Sequence, residues 1–454
     1  MQVTQTLSQG LKHEFKVILP AGELAAKLES QLVELRGKAQ IKGFRPGKAP
    51  ISYLKKIYGK GIMGEVLQEA VNEANRKIVE DNSLRVALEP RLDFPTDQAT
   101  VEKALEAEGD FSYSVAFEVL PAIEIGSFDD IAIERPIAEV AEEEVQKAIS
   151  DLADRIREFE DKDGVSAKGD RLTIDFAGKL DGEPFEGGTG GDVNLVLGSG
   201  SFIPGFEEQL EGAAKDEQRV VKVKFPDDYG VPTLAGRDAE FDVTVKGVAG
   251  PKELPIDDAF AAKYGFESLA ELTFAVRGNL EADFAKASRS KLKRSLLDAL
   301  DKKYSFELPE GLVSQEFDTI WTQLEAERQR SGKSFEDEGT TEEAAREEYR
   351  KIAERRVRLG LVLAEIGQGA GVKVEDKDVT DALVERVRAF PGREKQVWDF
   401  YRNNPQALAQ IRAPLYEERV VDHLVTKISV TDKTVTREEL LAAEEDDDLA
   451  QPAA

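Results

Sequence analysis

Residues 171–188 read RLTIDFAGKLDGEPFEGG. Leu172, Ile174 and Phe176 fall on one face of an alternating run, the mark of a strand with one buried side. Asp181-Gly182 suits the two-residue turn of a hairpin, and Val193, Leu195 and Leu197 alternate again beyond it. Further out, Val221, Val223 and Phe225, then Phe241, Val243 and Val245, supply two more strands. Between the hairpin and these strands only PGFEEQLEG, residues 204–212, has room for a helix, of roughly two turns. Residues 169–248 therefore read as a compact, mostly antiparallel sheet domain curled around one short helix.

The flanks differ in character. On the N-terminal side VTQTLSQGLKHEFKVILP, residues 3–20, alternates as a half-buried strand pair does, and Ala21 to Leu35 puts Leu24, Leu28, Val33 and Leu35 on one helical side. Ile51, Leu54, Ile57 and Tyr58 recur at helical spacing after Pro50, which suits a helix's first position. Strand-like Leu84 to Leu88 and Phe111 to Leu120 close an α+β unit, and the acidic helical run Val140 to Phe159 leads away from it. Beyond Pro255 the pattern is helical, with breaks at Leu308-Pro309-Glu310 and Asn404-Pro405. Stripes such as Ile352, Leu359, Leu363, Ile366 and Leu415, Val421, Leu424, Ile428 mark long amphipathic helices. EELLAAEEDDDLAQPAA, residues 438–454, is acidic and poor in large apolar groups, as disordered tails are. The expected architecture is multidomain α+β.

A chain of 454 residues is long enough for several independently folding domains. With no Cys and two His, His13 and His423, disulfides, Cys/His zinc sites and cysteine nucleophiles are excluded by inventory, and no triad pattern surrounds either histidine. No metal or cofactor is expected. The N-terminus MQVTQTLSQGLKHEF lacks the basic and apolar regions of a signal peptide, and no apolar run is long enough to cross a bilayer, so a cytoplasmic location is expected. A formal net charge of −28 opposes general nucleic-acid or anionic-membrane binding.

One segment breaks that acidic rule. From Arg36 to Lys60 the chain carries Arg36, Lys38, Lys42, Arg45, Lys48, Lys55, Lys56 and Lys60 without an Asp or Glu, around the loop GFRPGKAP at residues 43–50. Gly43 and Gly47 can take positive φ and Pro46 and Pro50 restrict it, which makes a shaped turn between two helices with Phe44 and Arg45 at its tip. An aromatic and a guanidinium flanked by Lys48 and other lysines suit a docking finger for a carboxylate- or phosphate-bearing surface. A solvated interhelix loop with Phe44 tucked into the core is the competing reading. The spacing does not fit a phosphate-binding P-loop, since Ala49 stands where Ser or Thr would hold magnesium.

The second constellation is aromatic: Phe176, Phe185, Phe202, Phe206, Tyr229 and Phe241, with Ile203, all in the sheet domain. Such residues fill a core as readily as they rim a concave surface, but several sit beside turns, where rims are built. The glycine-rich GGTGGD at 187–192 does not match a dinucleotide loop and reads as a mobile sheet loop.

In this order, and followed by a helical region, the two constellations resemble the trigger factor family of bacterial ribosome-associated chaperones. GFRPGKAP fits that family's ribosome-docking signature. TIDFAGKLDGEPFEGG, LGSGSFIPGFEEQLEG and AEFDVTVKGV resemble the FK506-binding type of peptidyl-prolyl isomerase. The resemblance implies a ribosome-binding domain at 1–112 that docks through Gly43, Phe44, Arg45, Pro46, Gly47, Lys48 and Pro50. It further implies a linker at 113–159, an FKBP-like isomerase domain at 160–250, an all-α substrate-binding body at 251–432 and an acidic disordered tail at 433–454. Phe176, Phe185, Phe202, Ile203, Phe206, Tyr229 and Phe241 are then the catalytic prolyl pocket. Glu186, Phe206 and Val193 depart from the single-domain isomerases, which have Asp, Trp and often an aromatic there; sensitivity to macrolide inhibitors is what these changes bear on.

The implied function is a chaperone that holds nascent polypeptides at the exit tunnel and isomerises X-Pro bonds. Its implied partners are the large ribosomal subunit, through ribosomal protein with rRNA as a further contact, and unfolded chains; no membrane is involved, and a weak homodimer forms off the ribosome. The alternative is a soluble isomerase whose helical flanks dimerise it without docking.

Overall fold

A computed structural model describes residues 1–38, 44, 47–226, 229–231, 233–332, 334–337 and 339–442, with the side chains of residues 98 and 186 left aside. The N-terminal unit is formed by β1 (Gln2–Gln9), β2 (Lys12–Leu19), α1 (Ala21–Lys38), α2 (Ile51–Asp81), β3 (Arg91–Asp93), α3 (Gln98–Leu105) and β4 (Phe111–Glu118). Its strands make an antiparallel sheet of order β1-β2-β4-β3. Phe15, Val17, Tyr113 and Val115 of the sheet share one core with Leu24, Leu28 and Leu32 of α1 and Leu54, Val66 and Ile78 of α2. The buried line on α1 thus runs through Leu32 at a four-residue spacing, and Val33 is exposed, one position off the expected stripe. Residues 84–88 contribute a single bridge, Val86 to Val119, in place of the expected strand.

Residues 113–159 are not a linker in the structural sense. β5 (Ala132–Ile137) and α4 (Glu142–Arg155) lie within them, and both are built into the helical body. Ile131 and Ile133 are buried with Leu296, Leu300, Leu359 and Leu424, while Val145 and Ile149 of α4 pack with Phe260, Leu272 and Val276. The cause is apolar burial: these side chains find partners more than a hundred residues later in the chain.

The sheet domain follows: β6 (Phe159–Asp161), β7 (Arg171–Leu180), β8 (Glu183–Val196), β9 (Gln218–Lys224) and β10 (Asp238–Pro251). The order is β6-β10-β7-β8, with β9 also on β10, and every pairing is antiparallel. Leu180 pairs with Glu183 across Asp181-Gly182, whose φ values of 52° and 88° are both left-handed, as a two-residue hairpin turn requires. The expected two-turn helix is only a 3-10 helix, Glu208–Leu210. Gly205 and Gly212, both at positive φ, close the segment at either end, and within it the local amides reach back three residues rather than four: Phe206 to Ile203, Leu210 to Glu207.

The body comprises α5 (Asp258–Lys263), α6 (Leu269–Lys303), α7 (Glu310–Ser331), α8 (Glu342–Ala370), α9 (Asp376–Arg388), α10 (Glu394–Asn403) and α11 (Pro405–Val425). Pro309 stands at the cap position of α7, and Asn404 caps α11 with Pro405 at its first turn, so the sequence breaks fall where the helices start; Ser268 caps α6. The body is not all α. β11 (Ser429–Thr434) pairs in parallel with β5, and α12 (Arg437–Leu441) closes the described chain with Leu440 buried. Order therefore persists past residue 433, where a disordered tail was expected, because the ladder to β5 and Leu440 hold it; residues 443–454 lie outside the described chain.

Candidate functional site

The aromatic residues converge. β7 supplies Phe176, β8 Phe185, the loop after β8 Phe202, Ile203 and Phe206, and β10 Phe241. With Tyr229 these seven residues line one cavity of about 410 Å³ on the sheet domain. Phe206 is fully buried and Phe241 nearly so, which makes them the floor, while Phe176, Phe185, Phe202 and Ile203 are half-buried around it. Phe206 meets Phe241 edge-on at 5.3 Å and Phe202 in a tilted contact at 4.9 Å. Phe185 and Phe176 each stand edge-on to Phe241 at 6.0 Å. Edge-to-face rings hold one another's orientation, so the pocket is preformed.

The glycine-rich stretch is part of this construction and not a mobile loop. Residues 187–192 lie within β8, with Thr189 and Gly190 opposite Ala177 and Phe176. A Cβ on Gly190 would sit 2.6 Å from the Phe176 ring, one on Gly188 2.8 Å from Phe185, and one on Gly178 of β7 2.6 Å from Phe241. The glycines are recesses into which the rings fit. Phe225, Pro226, Pro204 and Ser201 also line the cavity and were not singled out as site residues. Phe225 shared its alternation with Val221 and Val223, the signal that turns it inward, and it meets Tyr229 at 4.7 Å.

Among the described residues the lining holds no Asp, Glu, Lys, Arg or His. On β7 Asp175 accepts from Lys246 at 2.7 Å, and that bond holds its carboxyl below the usual range, but this pair is outside the lining. No group of His, Cys, Asp and Glu among the described residues is arranged to hold a metal ion. An apolar, aromatic cavity suits rotation about an X-Pro amide. That bond loses charge separation as it twists, so an apolar pocket disfavours its planar form without proton transfer.

The second candidate site is described in part. Gly43, Arg45 and Pro46 lie outside the described residues. Phe44 is half-buried against the N-terminal core and tilts against Tyr53 at 5.0 Å, so it is packed at its base and still reaches solvent. Gly47 has φ 77°, and Pro50 is the cap of α2 rather than its first residue, its carbonyl accepting from Tyr53 and Leu54. Lys48, Lys55, Lys56 and Lys60 are exposed along with Tyr53 and Ile57; Lys38 pairs with Glu34, and Lys60 with Glu106 at 3.1 Å.

A groove of about 530 Å³ on the body lies between α7, α8 and α11, with Leu312, Val357, Leu361 and Ala413 in its walls. Elsewhere on the body Phe274 is 78% exposed, and Phe390 and Phe400 are also exposed. No helix among the described residues is long and apolar enough to cross a membrane.

Three family models match the chain: "Bacterial trigger factor protein (TF)" over residues 1–152, "FKBP-type peptidyl-prolyl cis-trans isomerase" over 163–246 and "Bacterial trigger factor protein (TF) C-terminus" over 268–426. The chain is 61% identical over 445 residues to "Trigger factor" of Methylocella silvestris, covering 97% of this chain and 96% of that protein. It is 54% identical over 458 residues to "Trigger factor" of Methylorubrum populi, covering 100% and 96%. A solved structure described as "Promiscuous Substrate Recognition in Folding and Assembly Activities of the Trigger Factor Chaperone" shares the fold at a TM-score of 0.51 and 18% identity, over 94% of this chain and 100% of that one. Matched along nearly its whole length, the chain belongs to the trigger factor family and carries an FKBP-type peptidyl-prolyl isomerase domain.

Proposed function

We propose that the protein is a cytoplasmic, ribosome-associated chaperone that holds emerging polypeptides at the exit tunnel and speeds cis/trans isomerisation of their X-Pro bonds. The observation that carries the reading is the joining, in one chain of this family, of a preformed aromatic cavity in residues 160–250 to a basic loop in residues 1–112. The cavity is the proline site, with Phe206 and Phe241 as its floor and Phe176, Phe185, Phe202, Ile203 and Tyr229 around them. The loop of Gly43, Phe44, Arg45, Pro46, Gly47, Lys48 and Pro50 docks on the large subunit by its aromatic and its charge, against ribosomal protein with rRNA within reach of the lysines. Residues 251–432 hold unfolded segments by many weak apolar contacts, for which the groove between α7, α8 and α11 and exposed side chains such as Phe274 offer surface. A weak homodimer off the ribosome completes the reading.

The test removes residues 160–250, closes the gap with a flexible linker and measures two activities. Isomerisation of a short X-Pro peptide should vanish while suppression of light scattering by an aggregating client is largely kept. A folded deletion that protects no better than buffer would place holding in the sheet domain and refute this division of labour.

A further inference from the structure

Two carboxylates of the sheet domain are buried among the described residues, Asp170 and Glu207. Asp170 has a cation, Lys162 at 2.6 Å, which is the ordinary reason for a buried charge. Glu207, 6% exposed, has no ion pair among the described residues. Its two oxygens are filled by one loop. Oε2 accepts from the Gly198 N–H at 2.7 Å and the Gly200 N–H at 3.2 Å; Oε1 accepts from the Phe202 N–H and the Ser199 hydroxyl, each at 3.2 Å. Hydrogen bonds of this number replace the lost water around a carboxylate. The loop is shaped to give them: Gly198 and Gly200 have φ 86° and 67°, conformations that turn amides inward and that side chains rarely adopt.

The bonds link two adjoining parts of the pocket. Phe206, next in sequence to Glu207, is its floor, and Phe202 and Ile203 at the end of the gathered loop are its wall. Glu207 ties the two together from behind, and the Phe202 ring lies 4.9 Å from that of Phe206. Helix capping does not account for this carboxylate, because its side chain accepts no bond from the 3-10 helix that follows it.

We infer that Glu207 is a positioning residue for prolyl isomerisation, its buried carboxylate fixing residues 198–203 so that Phe202 and Ile203 stand against Phe206 in the pocket. The inference rests on the isomerase reading of that pocket and names a further residue on which the site depends. Glu207 touches no substrate and acts through the loop.

Full-length Glu207→Gln, which keeps the size and one acceptor oxygen, and Glu207→Asp, which keeps the charge but withdraws it by one methylene, are compared with the parent. Isomerisation of a short X-Pro peptide and hydrogen exchange of individual amides are measured together. In the Gln variant kcat should fall about tenfold with peptide affinity changed less than threefold, since the floor is intact, and the Asp variant should lie between it and the parent. The amides of 198, 200 and 202 should exchange faster, those of 241–245 at the parent's rate. An active parent and an equally active Gln variant overturn the inference alone. Rate lost only in step with faster exchange at 241–245, in both variants, makes Glu207 a mere stabiliser and overturns it too. A parent without isomerase activity overturns the reading of the pocket, and the inference with it.

Discussion

Gly178→Ala tests the construction of the pocket with one methyl group. The new Cβ would lie 2.6 Å from Cε1 of Phe241 and 2.7 Å from Cε1 of Phe185. Carbon atoms pack at roughly 3.5–4.0 Å, so both rings must retreat by about 1 Å. They have little room: Phe241 is buried and is met by Phe176, Phe185 and Phe206. Overpacking of this kind costs about 1–3 kcal/mol, and the displaced rings are the pocket itself. Gly191→Ala is the control, on the partner strand, where the new Cβ meets only Asp175 Oδ1 at 3.6 Å, an ordinary contact. Its stability should stay within about 0.5 kcal/mol of the parent, as surface substitutions usually do. Urea unfolding of the full chain, followed by tryptophan-independent far-UV circular dichroism, and isomerisation of a short X-Pro peptide are the assays. Gly178→Ala should lose both stability and at least tenfold in rate. An unaltered rate in Gly178→Ala, or equal damage in Gly191→Ala, would refute the view that the glycines are recesses for the rings.

Two other perturbations probe the parts around the sites. Burial pushes the Tyr113 hydroxyl up to about 12, above an ordinary 10.0, so its stabilising neutral form is fully kept below pH 10 and lost as pH rises through 12; Tyr113→Phe should flatten alkaline unfolding of the N-terminal unit over that window, an effect of about 2–3 kcal/mol at most. Glu118 of β4 accepts from the Glu310 and Gly311 amides at 2.6 and 2.8 Å, capping α7 from the N-terminal sheet. Glu118→Ala should cost about 1 kcal/mol and make the chain between the unit and the body easier to cleave in limited proteolysis; unchanged cleavage would show that the cap does not hold them together.

Local periodicity carried the sheet domain, because Leu172, Ile174 and the Asp181-Gly182 turn act within a few residues of one another. The same holds for the helix starts at Pro309 and Asn404. What could not be read depends on distant partners. Ile131 and Ile133 look like linker residues until Leu296 and Leu424 cover them, and β5 acquires its parallel mate β11 only about three hundred residues on. Gly188 and Gly190 look like a loop until Phe185 and Phe176 lie over them. The six aromatic residues and Ile203 assigned to the pocket by resemblance all line the cavity, whereas alternation alone left core and rim open. Glu207 carried no signal in the sequence, since an acidic residue beside Glu208 looks solvated until the loop amides are seen around it.

Ribosome docking by the basic loop is read out by cosedimentation. Purified ribosomes are pelleted through sucrose with the parent chain and with Phe44→Ala/Arg45→Ala, circular dichroism confirming the fold because Phe44 also packs on the N-terminal core. The parent should pellet with ribosomes at physiological salt, less so as salt is added, and the double variant should stay in the supernatant with its isomerase rate intact. A folded double variant that pellets as the parent does would show that Phe44 and Arg45 do not dock the chain on the ribosome.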